Sequence, residues 1–103
     1  MAIPQLSAEQ LHAAREAAAS ARRSRADLKE QVRQRELTLG AALDKAATDD
    51  VLAHVKVLDL LKCVPRVGEK RAAEVMVRLD IAANRRIRGL GRHQVAGLKA
   101  EFS

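Results

Sequence analysis

Between Ser7 and Glu36 the chain contains neither glycine nor proline, and alanine is the commonest residue. Because the two strongest helix breakers are missing and the best helix former abounds, this stretch is constrained to one long helix. Ser7 and Gln10 have the spacing of a capping box. We predict a helix of about 28 residues, roughly 42 Å long. Its apolar stripe is mostly alanine at first and strengthens near Leu28 and Val32, so its beginning is expected to stand partly free.

The rest of the chain shows no convincing alternation of apolar and polar residues, so the predicted fold class is all-α. We expect a helical extension over residues 1–38 and a compact body over 39–103. The helices of the body are expected at 41–47, at 48–63 with Thr48 as N-cap and Val51, Leu52 and Val55 facing inward, at 69–79, and at 92–102.

Composition excludes several classes of protein. The chain has 103 residues, which suits one domain, and its 19 basic and 13 acidic residues leave a net charge of +6. Phe102 is the only aromatic residue, which excludes nucleic-acid readers that stack bases on rings. The single cysteine, Cys63, cannot form an internal disulfide and favours a reducing compartment. No apolar run is long enough to span a bilayer, and no secretory signal follows Met1, so a cytoplasmic location is expected.

The first candidate site is the turn that begins at Pro65. A helix ends there, a turn with Gly68 follows, and a second helix begins. The N–H groups at a helix start are unpaired and favour anions, and Gly68 leaves room for a phosphate. An ordinary corner between two helices is the alternative interpretation. The residues of this candidate site are Pro65, Val67, Gly68, Lys70 and Arg71.

The second candidate site is an arginine-rich loop before the last predicted helix. Its glycines are expected to let the backbone approach a ligand with open N–H groups, while Ile87 and Leu90 anchor it in the core. Arginine forks bind phosphates and also enter narrow minor grooves. The alternative is a solvated basic loop, but one nearby acid, Asp80, leaves most of the charge uncompensated. The residues are Arg85, Arg86, Arg88, Gly89, Gly91 and Arg92.

The third candidate site is the block Arg22, Arg23 and Arg25 on the long helix. It could lie along a second stretch of phosphate backbone. The alternative is a solvated face in local ion pairs, because Arg23 with Asp27 and Glu30 with Arg33 have suitable spacing.

Other reactive residues form no recognisable site. The three histidines, His12, His54 and His93, are scattered, and no spacing resembles a metal site. Cys63 is expected to fill the core. Neither a nucleotide-binding glycine loop nor a catalytic constellation is present, so we expect no enzymatic activity, no metal and no cofactor.

The turn Pro65–Gly68 followed by Arg85–Gly91 closely resembles the mycobacterial type of integration host factor found in actinobacteria. The resemblance extends to Ile3–Ser7, to the basic helix around Ala21–Arg23 and to Val51–Val57, and so covers almost the whole chain. It implies a nucleoid-associated protein with a long helix packed on a helix–two-turns–helix body. Such proteins bind double-stranded DNA with little sequence preference, influence DNA topology and support site-specific integration.

By this resemblance, Pro65, Val67, Gly68 and Lys70 match the first turn, which grips one phosphate run. The second turn is matched by Arg85, Arg86, Arg88, Gly89 and Gly91. The chain departs from the pattern in having Glu69 inside the first turn, which is expected to weaken contact there. It also departs at Ala83-Asn84, where such proteins often carry Pro-Thr, and at Cys63, where an aliphatic residue is expected.

Two classes of function remain open besides the leading one. The leading interpretation is a duplex-DNA binder, a monomer in solution, located in the nucleoid, with neither a small-molecule substrate nor a membrane partner. An RNA- or ribosome-associated protein with the same module is the first alternative. An adaptor whose long helix docks on a protein is the second, although a stripe made mostly of alanine is a poor docking face.

Overall fold

The structure is a computed structural model that describes residues 7–102; Ile3–Leu6, which carry part of the resemblance, lie outside the described residues. Within 7–102 the chain forms five α-helices and two 3₁₀ turns and no named β-strand, which confirms the all-α prediction. The helices are α1 (Ala8–Arg33), α2 (Leu39–Ala47), α3 (Val57–Cys63), α4 (Glu69–Arg78) and α5 (Arg92–Phe102). The 3₁₀ turns are Leu52–His54 and Ile87–Gly89.

Helix α1 begins as predicted and ends earlier than predicted. Ser7 and Gln10 form the capping box. The helix stops at Arg33 because Arg35 adopts a left-handed conformation with φ 64°. The N–H of Arg35 then donates to Val32 O at 3.1 Å and that of Glu36 to Gln31 O at 2.8 Å. These two bonds satisfy the last carbonyls as a Schellman cap does, with arginine in the position usually held by glycine.

Helix α1 is anchored at one end only. Residues 8–18 are all exposed, whereas Leu28 and Val32 are only 1% exposed. The second half of α1 contacts α2, α3 and the first 3₁₀ turn. The helix therefore begins free and ends in the core, as its apolar stripe predicts; the division of the chain at residue 38 stays a prediction.

The prediction of one helix over 48–63 is wrong. Thr48 is the C-cap of α2 rather than an N-cap. The carboxylate of Asp49 accepts from the N–H groups of Val51 at 3.0 Å and Leu52 at 3.2 Å, which turns the chain into the first 3₁₀ turn. Leu52 and Val55 are buried as expected, but Val51, the residue just before the 3₁₀ turn, is 37% exposed.

A short backbone pairing separates this 3₁₀ turn from α3. Val55 and Lys56 are extended, and Lys56 forms an isolated antiparallel bridge with Arg86. The N–H of Val57 donates to Arg85 O at 2.9 Å, and that of Ile87 donates to Val55 O at 3.0 Å. We call this pairing of residues 55–57 with 85–87 the backbone bridge. Because its partner lies about thirty residues away, local sequence patterns do not reveal it.

The remaining helices agree closely with the predictions. Helix α5 has the predicted bounds, and α2 begins two residues earlier because Thr38 caps it through Ala41 N at 3.1 Å. Helix α4 ends at Arg78, since Asp80 is left-handed with φ 59°. The largest fully buried side chains are Leu28, Val32, Leu39, Val57, Leu60, Leu61 and Leu98.

The described residues bury no polar or charged residue. Of the helices in this part of the chain, none is long and apolar enough to cross a membrane.

Arg86→Ala is expected to lower the free energy of unfolding by about 1 kcal/mol, since its guanidinium donates to the carbonyl of His54 at 2.6 Å and ties the bridge together. Urea denaturation followed by circular dichroism measures this loss. Arg92→Ala is the matched control, because Arg92 is exposed and makes no side-chain hydrogen bond within residues 7–102. Equal stability of the two variants would show that the bridge does not need the side chain.

Candidate nucleic-acid interface

The first turn presents an uncapped helix start. Val64, whose extended backbone suits the proline that follows, ends α3. Arg66 makes the tight turn with φ 68°, and Gly68 has no positive φ. Gly68 is the N-cap of α4, and no side chain caps that helix start. A β-carbon at Gly68 would meet no atom within 4 Å. The first N–H groups of α4 therefore face open space, as an anion site requires.

The candidates of the first turn take different positions. Lys70 is exposed, Pro65 is half-buried, and the side chain of Val67 is buried. The N–H of Val67 donates to Val64 O at 3.0 Å. Val67 therefore anchors the turn through its buried side chain, and its place among the DNA-binding residues stays a prediction.

Arg71 is partly engaged by α5. Its guanidinium lies 3.8 Å from a carboxylate oxygen of Glu101 and 5.5 Å from the ring centre of Phe102. Glu101 also pairs with Arg78. Some of the charge that the sequence assigns to the first turn is therefore compensated by an acid thirty residues away.

The arginines of the loop keep their charge uncompensated by acids. Arg85 donates to Gly89 O at 3.3 Å, and Arg88 lies 3.2 Å from Nε2 of His54. Arg86 donates to a main-chain carbonyl, as described above. Within residues 7–102 no arginine of this loop forms an ion pair with a carboxylate. Ile87 is buried and Leu90 is half-buried, which confirms them as anchors.

The expectation of open N–H groups at the two glycines is wrong. The N–H of Gly89 donates to Arg86 O at 2.9 Å, and that of Gly91 donates to the Gln94 side chain at 2.8 Å. Neither glycine has a positive φ. A β-carbon at Gly89 would lie 2.7 Å from Cδ of Arg85, so this glycine makes room for the arginine. The glycines compact the loop rather than exposing its backbone.

The long helix and the loop meet in one groove of about 430 Å³. It brings together two arginines of the third candidate site and one of the second. Among the residues that line it, Asp59 is the single acid. We call this surface the basic groove; its charged and titratable residues are Arg22, Arg25, Lys29, His54, Lys56, Asp59 and Arg86.

Arg23 does not line the basic groove. Neighbours on a helix are about 100° apart, so Arg23 points away from the face that Arg22 and Arg25 share. The predicted ion pair between Arg23 and Asp27 is also absent from the described part of the chain.

The ion pair predicted between Glu30 and Arg33 is present, at 2.6 Å. Hydrogen bonds from Gln34 and Arg33 lower the pKa of the Glu30 carboxyl below its ordinary value. The bond to Glu30 also raises the pKa of Arg33. On α1, an acid therefore neutralises a basic residue near the end of the helix, at Arg33, but none does so at Arg23 in its middle.

Sequence reasoning missed Lys56 and His54 and left Lys29 out of the candidate site. Lys29 follows Arg22 by seven residues and Arg25 by four, a helical spacing that could have found it. Lys56 and His54 carry no such signal, because the backbone bridge brings them to the groove. The residues of the first turn do not line it. Within residues 7–102, no three His, Cys, Asp or Glu side chains could hold a metal ion.

Comparisons with known proteins agree with this architecture. The family model of the S13-like H2TH domain matches residues 32–102. The integration host factor of Mycolicibacterium smegmatis is 47% identical over 102 residues, which cover 99% of this chain and 97% of the relative. The integration host factor of Streptomyces coelicolor is 43% identical over 102 residues, which cover 99% of this chain and 95% of the relative.

A solved structure is similar as well. It is described as sIHF bound to an 8-base-pair palindromic DNA, with a TM-score of 0.81 and 41% sequence identity. The match covers 85% of this chain and 99% of that one.

Gly68→Ser is expected to separate stability from binding. Serine is a better N-cap, so stability should rise by a few tenths of a kcal/mol, about as capping scales indicate. Its hydroxyl would occupy the N–H groups of α4 and lower the affinity for a phosphate polymer such as duplex DNA about fivefold, or about 1 kcal/mol. Thermal denaturation and fluorescence anisotropy measure the two effects. Unchanged affinity would show that no phosphate lies on this helix start.

Proposed function

The chain belongs to the S13-like H2TH family as one of its integration host factors, and from this premise we propose that it is a non-enzymatic nucleoid protein that binds double-stranded DNA. The observation that carries the proposal is the basic groove. Five cations from three separate segments line it against a single acid. Phosphate-rich ligands are the natural counterpart of such a surface, because each neutralised phosphate releases a counterion.

The proposed grip uses two separate elements. The uncapped start of α4, with Lys70 beside it, binds one run of phosphates. The loop Arg85–Arg92 binds another, and Arg88 lies at its exposed edge. Arg22 and Arg25 extend the second contact along α1, so a backbone passing the loop continues past the middle of the long helix.

Little sequence preference is proposed because, within residues 7–102, no Asn or Gln amide at a helix start is free to read bases. Reading adenine in the major groove uses the amide of Asn or Gln. Gln94 lies in the first turn of α5, but its amide donates to Asp80 O at 2.8 Å and its oxygen accepts from Gly91. Asn84, which lies outside any helix, is exposed and is the one amide near the loop that could reach a base. The contacts therefore favour the phosphate backbone and the width of the minor groove.

We extend the proposal to cellular role. Through its grip on the backbone, we propose, the protein influences DNA topology and compaction and supports site-specific recombination. It acts in the nucleoid, as a monomer before it meets DNA. The same phosphate chemistry supports a second candidate, a ribosome- or RNA-associated binder, since the matched domain is described as S13-like.

Binding to random-sequence duplex DNA is expected to weaken steeply with salt. Five to nine cationic contacts correspond to a slope of log K against log salt between about −4.5 and −8. Fluorescence anisotropy over a salt series gives the slope, and competition with structured RNA at matched salt separates the two candidates. A slope near zero would contradict electrostatic binding, and preference for RNA would favour the ribosome-associated alternative.

Arg22→Ala combined with Arg25→Ala is expected to weaken DNA binding and to reduce the magnitude of the salt slope by about 2, because each variant removes one groove cation. Arg23→Ala is the matched control on the same helix and should bind as the unaltered protein does. Circular dichroism checks that α1 stays helical. Equal losses from Arg23→Ala would mean that the outer face of α1 also binds DNA.

A further inference from the structure

His54 holds two arginines of the loop at once. Its Nδ1 lies 2.7 Å from the carbonyl oxygen of Asp50, and because a carbonyl only accepts, Nδ1 carries the hydrogen. Its Nε2 is therefore an acceptor, and Nη1 of Arg88 lies 3.2 Å away. Its main-chain carbonyl accepts from Arg86 at 2.6 Å. The geometry is that of a neutral imidazole whose lone pair restrains one arginine and whose backbone restrains another.

On the side of the basic groove, the surroundings of His54 are mostly cationic. Arg22, Arg25 and Lys29 line the same groove from α1, Lys56 lines it from the backbone bridge, and Arg86 lines it from the loop. Asp59 of α3 is the one acid of the groove, and Asp50 meets the ring through its main-chain oxygen. Arg88 does not line the groove itself; it lines a second cavity together with the acids Asp44, Asp49 and Asp50.

Protonation would break the contact with Arg88. A hydrogen on Nε2 would face the N–H of a guanidinium, and two donors of like charge repel. A phosphate in the groove offsets this repulsion, because its negative charge attracts both the imidazolium and the released arginine.

We propose that His54 is a proton-linked positioning residue for DNA binding, a role that rests on the proposed function. In the free protein the neutral ring holds Arg88 against the body. When a duplex occupies the basic groove, the ring takes up a proton and Arg88 moves from Nε2 to a phosphate. Because the bound state holds more protons than the free state, affinity rises as pH falls through the range in which imidazoles titrate.

The test measures the affinity for a random 20-base-pair duplex from pH 8.5 to pH 6.0 at constant ionic strength. The unaltered protein should bind about three- to tenfold tighter at pH 6.0, since one unit of linked titration is worth up to tenfold. His54→Gln keeps an acceptor for Arg88 and cannot be charged, so its affinity should not change with pH. His93→Asn and His12→Asn are matched controls, because neither histidine lines the groove, and both should follow the unaltered protein.

Calorimetry in two buffers of different ionisation enthalpy measures proton uptake directly in the unaltered protein and does not depend on the folding of a variant. Uptake of a proton on binding, lost in His54→Gln, supports the proposal. Binding without proton uptake, or an equal pH dependence in His54→Gln, would overturn it while leaving the proposed function intact. Failure of the unaltered protein to bind duplex DNA at any of these pH values would overturn both.

Discussion

The backbone bridge between residues 55–57 and 85–87 is the interaction on which the basic surface depends. Side chains alternate along residues 55–57, where Val55 and Val57 are buried and Lys56 is exposed; on the other segment Ile87 is buried, while Arg85 and Arg86 are exposed. The pairing that buries these three apolar side chains therefore places two cations opposite each other at the surface. Like charges directly opposite in an antiparallel pair are destabilising. This repulsion offsets part of the stability that the hydrogen bond from Arg86 to the His54 carbonyl supplies, and an anionic partner would remove it.

The remaining charges are arranged so that this surface stays positive. The acids of the last turns of α1 and of α5 pair with arginines outside the groove: Glu30 with Arg33, and Glu101 with Arg78. Asp59, the acid inside the groove, lies 3.9 Å from Lys62 on its own helix. Exposed pairs of this kind contribute little to stability, about 0–1 kcal/mol each. These pairs use up acids at other places on the surface. Within the described residues, Arg22, Arg25 and Lys29 therefore have no acid partner.

Local signals predict most of the helices, and the failures have two physical causes. The capping box, the glycine-free stretch and the apolar spacing locate α1, α4 and α5 closely. The sequence predicts ends for α1 and α4 that lie beyond the observed ones. Each helix is closed by a left-handed residue, Arg35 or Asp80, at a position where glycine is the usual signal of a helix end. The helix predicted over 48–63 is divided by a pairing with a distant segment. The spacing of apolar residues within 48–63 gives no sign of that pairing.

The candidate site is likewise predictable from the sequence only in part. Composition locates the arginine loop, and its lack of acid partners within residues 7–102 agrees with the sequence. Which helix arginines join that loop depends on tertiary packing. Arg22 and Arg25 meet it, Arg23 does not, and Lys56 and His54 arrive through the bridge. The use of Gly91 as a donor to Gln94 likewise depends on where α5 begins.

The free first half of α1 has a consequence for how the molecule opens. Residues 8–18 have no buried side chain, so their helical structure is held by alanine propensity and by the capping box rather than by tertiary packing. Amide hydrogens there exchange with solvent through local fraying, at a small fraction of the free energy needed to open the leucine core around Leu60 and Leu98. Hydrogen exchange therefore divides this single helix into two segments of different protection. The amides of the free segment have little protection from exchange in the protein alone. A partner that lies along this segment would therefore slow their exchange measurably.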